Sequence, residues 1–392
     1  MGRKQPTLSA VLLAAGLSTR MQRFKPLLKL GSMRAVERLV LLYRNAGIDD
    51  VVVVVGHRAD EVQQAIVPLG VHCAMNSDFQ KGMFSSVLAG ARALPPSCRA
   101  FFLHPVDIPL VRPQTVVRLV DAFRPGQNTV VYPTFDGRRG HPPLIDAGVL
   151  PRLLRWYGRG GMRSFLQAYD AASLDLPVAD EAVGWDMDTP ADYRRVLDRL
   201  QCEGIPTGKE CRVLMDDVMA LPSAIKAHCR AVARVARQLA VAVKAAGARI
   251  DVDQVHAAAL LHDIARLEED HASAGALLLE RHGFYRIAPA VATHMALEVE
   301  DHRPMDAAQI VYLADKLVQG DRLVGLKQRL SRATQKHGHD PAARAGMERR
   351  LDAACRIGKC VEAITGRPIE SLIDAEGEGK GGMLDLGIIK PE

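Results

Sequence analysis

Four groups of polar residues in this chain lie where solubility does not account for them. The first follows an apolar run, Ser9 to Ala15, that stops abruptly in GLSTRMQRFKPLLKLG. Glycine at 16 lets backbone approach a ligand without a Cβ in the way, and loop N–H groups can point at anionic oxygens. Ser18, Arg20 and Lys25 add a hydroxyl and two cations. The spacing is neither a Walker loop, which needs a Gly-Lys-Ser/Thr ending, nor a Rossmann glycine fingerprint. The second group is GMFSSVLAG, where Ser85 and Ser86 open a helix whose positive end suits a base, ribose or phosphate. The third is FFLHPVDIPLV, in which Asp107 sits just past an apolar run. The fourth is WDMDTPADY, with Asp186 and Asp188 alternating.

A hard cation held by one or two carboxylates plus substrate phosphates is the usual Mg2+ arrangement. Phosphate-binding cations beside such carboxylates imply attack by an acceptor phosphate on the α-phosphorus of a nucleoside triphosphate, with loss of pyrophosphate. Lys25, Arg20 and Asp107 are the residues expected to carry it, by positioning and by neutralising charge. Asp107 is held where a Mg2+ would be useful, and Asp186 and Asp188 offer further carboxylates.

A different chemistry is written into the second half. Along 222–247 an apolar stripe runs through Ile225, Val232, Val235, Leu239 and Val243, and His228 falls on it. Val255, Ala259 and His262 share a face with Asp263 beside it, and Val311, Asp315 and Val318 do likewise. Buried ionisable groups are expensive unless paired or metal-bound. A histidine, a His-Asp pair and an aspartate on three inward faces are best explained by a divalent-metal cage. His57, His104, His256, His282 and His302 are expected to be structural.

The elements that must position these groups have two textures. Up to about residue 200, short apolar runs (9–15, 51–55, 71–74, 100–104 and 129–132) alternate with helical patterns such as 34–46, 59–66 and 84–93. Continuous apolarity implies strands covered on both faces, hence a three-layer, Rossmann-like α/β domain over 1–200 with a largely parallel sheet. In such a sheet ligands sit at the carboxyl ends of the strands. CEGIPTGKEC, within 201–212, reads as a linker. From 213 to 375 the period is helical throughout, so an all-α domain is expected, followed by a glycine- and charge-rich tail over 376–392.

Composition narrows the class. The chain has 392 residues, 48% of them hydrophobic, and a formal charge of +6. No dense basic block or aromatic-interleaved basic stripe points to nucleic acid. No run of eighteen apolar residues points to a membrane. The opening MGRKQPT carries no signal-peptide pattern, and seven cysteines without a CxxC pair suit free thiols in a reducing cytoplasm.

LAAGLSTRM followed by Lys25 resembles the signature of the molybdenum-cofactor nucleotidyltransferases, over about residues 8–199. NSDFQKGMFSSVLAG, HPVDIPLV, GRRGHPPLI and DMDTPADY are similar to motifs of its cytidylyltransferase branch, which joins CMP to molybdopterin. The resemblance implies CTP as the favoured triphosphate and a phosphorylated acceptor such as molybdopterin. It implies that Ala14, Ala15, Gly16, Leu17, Ser18, Lys25, Ser85 and Ser86 line the nucleotide. Gly140 and His141 would lie by the acceptor. Asp107 would bind Mg2+ with Asp188 rather than Asp186, which is expected to be solvated, and molybdoenzyme maturation proteins would be transient partners. A sugar or polyol phosphate is the alternative acceptor. One departure is Gln22, where glycine often follows the methionine. The second half, around AALLHDIARLEEDHASAGALLLERHGF, is similar to the HD phosphohydrolases, with their His…His-Asp…Asp pattern. That implies a divalent metal such as Mn, Fe, Ni, Co or Zn at His228, His262, Asp263 and Asp315, activating water against a phosphate ester. His271 and His294 match histidines that hold a second metal in some members. Here Ile-Ala replaces the usual Ile-Gly, and Met295 stands where a second histidine is frequent, so one or two metals, or a regulatory role without turnover, remain open.

Overall fold

The computed structural model describes residues 7–157, 160–298, 304–326, 328 and 341–373; the tail expected at 376–392 and His302 lie outside them. The chain divides into two compact units, Met1–Glu203 and Gly204–Glu392.

In the first unit, strand β1 (Leu8–Leu13) is apolar on both sides of its pleat because both sides are covered. Ala10 and Leu12 enter one buried cluster with Val36, Leu39, Val116 and Leu119, from the helices Ala35–Asn45 and Pro113–Ala122. Val11 and Leu13 enter the other, with Val87 of Met83–Ala93 and Phe165 of Gly161–Gln167. Helix, sheet and helix thus form the three layers expected. A small hairpin, β2 (Lys29–Leu30) with β3 (Met33–Arg34), follows the first loop. The main sheet continues with β4 (Asp50–Val55), β5 (His72–Met75), β6 (Ala100–Pro105), β7 (Val130–Phe135), β8 (Arg138–Arg139), β9 (Leu144–Asp146) and β10 (Ser173–Pro177). Its order is β10-β7-β9-β6-β1-β4-β5, with β8 paired to β7. All neighbours in that order are parallel except at β9, which runs antiparallel between β6 and β7.

The register aligns Leu13 with Val54 and with Pro105. The loops after β1 and β6 therefore leave the sheet side by side, and the Val106 N–H donates to the Leu13 carbonyl at 3.1 Å. That crevice at the carboxyl ends of the strands is where such a sheet receives ligands. The helix Met83–Ala93 lies close on β1: a Cβ at Gly90 would fall 2.3 Å from Val11 Cγ1, so only glycine permits this approach.

His104, near the end of β6, is fully buried. Its Nδ1 lies 3.0 Å from Tyr43 Oη and its Nε2 2.9 Å from the Ile108 carbonyl. The carbonyl requires the proton on Nε2, so Nδ1 accepts from the tyrosine and the ring is neutral. It ties down the turn that presents Asp107. Burial pulls its pKa down to about 3. An unfolded histidine titrates near 6.5, so unfolding takes up a proton between pH 6.5 and 3. This contribution to stability is complete above pH 6.5 and declines by about 1.4 kcal/mol per pH unit below it. Denaturant unfolding at pH 7.5, 5.5 and 4.5 should show a shallower loss for His104→Gln than for the wild type. Parallel slopes would contradict it.

The second unit is largely helical. Ser223–Ala245, Val252–Leu261, His271–Arg281, Ala288–Ala292, Ala307–Leu317 and Pro341–Thr365 are its main helices. The all-α expectation is met, with one addition: β11 (Val318–Gln319) and β12 (Arg322–Leu323) form a short hairpin. The segment expected as a linker contains the helix Gly208–Val213, capped reciprocally by Thr207 and Glu210; the T-x-x-E spacing of a capping box is present in its sequence. No described helix is long and apolar enough to cross a membrane.

Candidate active site and metal centre

In the first unit the loop after β1 is shaped by its own backbone. Ala14 and Ala15 are buried and still bonded to the neighbouring strand region: the Ala14 N–H donates to Val54 at 2.9 Å, and the Ala15 carbonyl accepts from His57 at 3.2 Å. Gly16 and Leu17 then emerge into solvent. Ser18 has a positive φ of 56°, and its Oγ accepts the Lys25 N–H at 3.1 Å, closing the loop. Gln22 also has a φ of 56°. The position where a glycine often follows the methionine is therefore a left-handed one, at which glutamine is strained.

Lys25 is buried to 9% exposure, and its ammonium joins two carboxylates, Asp107 Oδ2 at 3.0 Å and Asp188 Oδ1 at 2.5 Å. Burial works to lower its pKa, but the hydrogen bonds and charges of Asp188 and Asp107 outweigh it and the pKa ends raised. Arg20 reaches Asp188 Oδ2 at 2.6 Å from a side chain that is 75% exposed. A contact so exposed is worth little, and Arg20 remains available to an anion. Asp107 is anchored through its carbonyl, which accepts from Met187 N–H at 2.8 Å. The two aspartates thus arrive from different parts of the chain at one cation. Asp186 is exposed.

Gly140 and His141 lie at the rim of a cleft of about 1220 Å3, whose walls include Leu13, Tyr132, Arg139 and Arg163. A Cβ at Gly140 would meet the Val183 carbonyl at 2.6 Å, so glycine is required for this approach. The His141 N–H donates to that carbonyl at 2.8 Å, and the His141–Pro142 bond is cis. His141 Nδ1 is buried and has no hydrogen-bond partner. Burial lowers its pKa, opposed by the charge of Asp107.

Ser85 and Ser86 both engage a residue not singled out from the sequence. Asn76 Nδ2 donates to each serine Oγ at 2.9 Å, and Asn76 is 4% exposed. Ser85 Oγ also lies 2.9 Å from the Asp78 carbonyl and 2.8 Å from that of Gly82. Asn76 directly follows an apolar strand, and that place at a strand's carboxyl end was the available signal.

In the second unit, His228 comes from the first long helix and His262 and Asp263 from the end of the next. His271 opens another helix, His294 lies just beyond a short one, and Asp315 lies near the end of Ala307–Leu317. All six converge. One trio of ligand atoms is offered by His228, His262 and Asp315, a second by Asp263, His271 and His294, each within 4.8 Å. Asp263 faces both: Oδ2 is 3.8 Å from His228 Nε2 and 3.7 Å from His262 Nε2, while Oδ1 is 3.4 Å from His271 Nε2 and from His294 Nε2.

Three of the histidines are oriented alike. Nδ1 of His228, His262 and His294 lies at 2.7, 2.8 and 2.7 Å from the carbonyls of Gly320, Ala259 and Val291. A proton held on Nδ1 leaves the Nε2 lone pair aimed into the cage, as metal-binding imidazoles require. His262 Nε2, His294 Nε2 and Asp263 Oδ1 are buried without a hydrogen-bond partner, an arrangement whose cost a divalent cation would remove. The donor set, imidazole nitrogen with carboxylate oxygen, fits Mn, Fe, Ni, Co or Zn. Burial pulls the His262 pKa down to about 4, which keeps the ring a neutral ligand. Burial resists ionisation of Asp263, but His294, His262 and Arg266 outweigh it and hold the carboxyl at about 2. Two further cations were not singled out from the sequence. Lys316, 5% exposed, holds Asp315 Oδ2 at 2.5 Å and the His294 carbonyl at 3.2 Å. Arg266 Nη1 donates to His271 Nε2 at 3.0 Å.

The profile of the MobA-like NTP transferase domain matches residues 10–173, and that of the HD domain matches residues 225–319. Nicotine blue oxidoreductase of Paenarthrobacter nicotinovorans is 33% identical over 199 residues, which are 49% of this chain and 97% of that protein. The chain belongs to the MobA-like NTP transferases. This MobA-like chain carries its HD domain on the same polypeptide. The bifunctional protein GlmU of Burkholderia ambifaria is 31% identical over 151 residues, covering 38% of the chain and only 33% of GlmU. A bifunctional IPC transferase and DIPP synthase of Rubrobacter xylanophilus is 36% identical over 222 residues, covering 47% of the chain and 50% of that protein. The chain thus spans a third to a half of these two longer relatives. Among solved structures, Rv0371c of Mycobacterium tuberculosis is 26% identical, with a TM-score of 0.45, over 50% of this chain and all of that one.

Proposed function

We propose that the MobA-like unit transfers a nucleotidyl group from a nucleoside triphosphate, CTP in preference, to a phosphorylated acceptor, with molybdopterin the leading candidate. The observation that carries this reading is the meeting of Lys25, Asp107 and Asp188 at one point beside the first loop. The two carboxylates supply the hard oxygens that suit Mg2+, and they would hold it there. Bound there, the ion would neutralise charge on the triphosphate as the reaction proceeds. An oxygen of the acceptor phosphate attacks the α-phosphorus, the bond from that phosphorus to the β-phosphate oxygen breaks, and pyrophosphate leaves. Lys25 and Arg20 stabilise the negative charge that shifts onto the leaving pyrophosphate. The loop of Ala14 to Ser18, with Ser85 and Ser86, lines the nucleotide, and Gly140 and His141 border the acceptor.

For the HD unit we propose metal-dependent hydrolysis of a phosphate ester. His228, His262, Asp263 and Asp315 would hold the metal, with His271 and His294 available to a second. A metal held by these residues would supply hydroxide at neutral pH by lowering the pKa of water. The chain's own part is to fix four donors and their orientation through the carbonyls of Gly320 and Ala259 and through Lys316.

The test is a matrix of CTP, GTP and ATP against molybdopterin and sugar or polyol phosphates, read by pyrophosphate release. Turnover with CTP and molybdopterin is expected, and its absence overturns the favoured acceptor. Metal-dependent phosphatase activity that His262→Ala abolishes is expected of the HD unit. Equal activity in both proteins would leave that unit a nucleotide- or metal-sensing module. A second reading comes from the likeness to nicotine blue oxidoreductase, which by name does redox chemistry. The first loop lacks the glycine fingerprint of dinucleotide binding, and Lys25 with two carboxylates suits phosphate rather than hydride transfer.

A further inference from the structure

The two halves of the HD cage are not equivalent. In the trio of His228, His262 and Asp315, the donor atoms face one another, with His228 Nε2 and His262 Nε2 at 3.2 and 3.7 Å from Asp315 Oδ1, and Lys316 holds the other carboxylate oxygen, Oδ2. In the trio of Asp263, His271 and His294, a cation of the protein has already entered. Arg266 Nη1 donates to His271 Nε2 at 3.0 Å and lies 3.8 Å from Asp263 Oδ1. His271 Nε2 and Asp263 Oδ1 are two of the three donor atoms that a second metal would use. The other, His294 Nε2, is buried with no partner.

We infer that Arg266 is a built-in occupant of the second metal subsite, holding the HD domain in a one-metal state until it swings out. This rests on the reading of the cage as a metal centre. The physical grounds are local. An imidazole nitrogen has one in-plane lone pair, so His271 Nε2 can accept from the guanidinium or bind a metal at about 2.0–2.1 Å, not both. Arginine stays charged at any working pH, so its positive charge beside Asp263 opposes entry of a divalent ion and partly satisfies the carboxylate in its place. The guanidinium is also free to leave. Its side chain is 47% exposed, three residues beyond Asp263 on the same turn. An entering anionic substrate, a phosphate ester by the reading above, offers it a stronger partner than a neutral imidazole. The subsite would then open to a second ion as the substrate arrives.

The experiment is a Mn2+ titration of the full chain, followed by calorimetry and by the exchange-coupled electron-spin signal of paired Mn2+. Every protein carries Asp107→Asn and Asp188→Asn so that the first unit's carboxylates take no ion, and wild type here means that the HD unit is unaltered. Wild-type protein is expected to bind one ion tightly and a second at least tenfold more weakly, with little coupled signal. Arg266→Met should tighten the second ion at least tenfold and bring up the coupled signal without altering the first. Arg266→Lys, a charge without the planar fork, should lie between them. His271→Ala should remove the second ion from the Arg266→Met protein. Two ions of equal affinity in the wild type, or an Arg266→Met titration identical to it, overturn the inference while leaving the cage intact. Failure of any protein to bind Mn2+ overturns the cage itself, which separates the two outcomes.

Discussion

Asp107→Asn should lower kcat/KM for pyrophosphate release by about a thousandfold and raise the Mg2+ concentration at half-saturation at least tenfold. The magnitude follows from what the carboxylate faces. Asp107 and Asp188 approach the same ammonium from two sides, at 3.0 and 2.5 Å, in a crevice where Lys25 has little access to water. A Mg2+ bound by two protein carboxylates loses half its protein charge when one of them becomes an amide. Two accounts of the loss can be separated. If Asp107 serves only to neutralise Lys25, then removing it from a Lys25→Met protein should do no further harm. If it holds the metal, the two losses should compound, since each acts on a different part of the triphosphate. Stability should change little, because the Asp107 side chain is 22% exposed and its carbonyl stays bonded to Met187. Asp107→Asn retaining more than a tenth of wild-type kcat/KM, with unchanged Mg2+ dependence, would remove the carboxylate from the metal site.

Much of this could be read from the sequence, and the exceptions have physical reasons. The strands β1, β4 and β6 were legible because both their faces are covered and their apolar runs are unbroken. The short strand β9 was not, since three residues carry no measurable period, and β10 has only two apolar residues, Leu174 and Leu176, before a proline ends it. The inward faces of His228, His262 and Asp315 were legible through helical periodicity, and the structure does bring them together. His271 could be matched only by resemblance, because at the first position of its helix it has no stripe before it. Lys316 and Arg266 read as ordinary charged residues beside motif positions. Only the fold shows that one is buried against Asp315 and the other turned onto His271. Likewise Asn76 reads as a turn residue until the two serines are seen to converge on it.

The same geometry makes Asp263 the one residue whose loss should empty the whole HD cage. Its Oδ2 serves the trio side of His228 and His262, and its Oδ1 the side of His271 and His294. Every other cage residue belongs to one trio alone. Asp263→Asn keeps the shape and removes the charge, so it tests ligation rather than packing. Metal held by the HD unit, measured with Asp107→Asn and Asp188→Asn also present, should fall from at least one ion to a small remnant, and phosphatase activity should fall by about a thousandfold or more. A thermal readout distinguishes this from misfolding. A ligand that binds only the folded state stabilises by about 4 kcal/mol at a thousand times its dissociation constant. Saturating metal should therefore raise the melting temperature of the HD unit markedly in wild type and hardly at all in Asp263→Asn. With chelator present, the two proteins should melt much closer together, because the variant changes no volume and the wild-type carboxylate then has only histidines and Arg266 to offset its burial. His271→Ala should behave differently, keeping most of the metal-dependent rise because the first trio is untouched. Equal metal-dependent shifts in Asp263→Asn and wild type would show that the bridging carboxylate is not a ligand, and would leave the histidines without a common metal to explain their orientation.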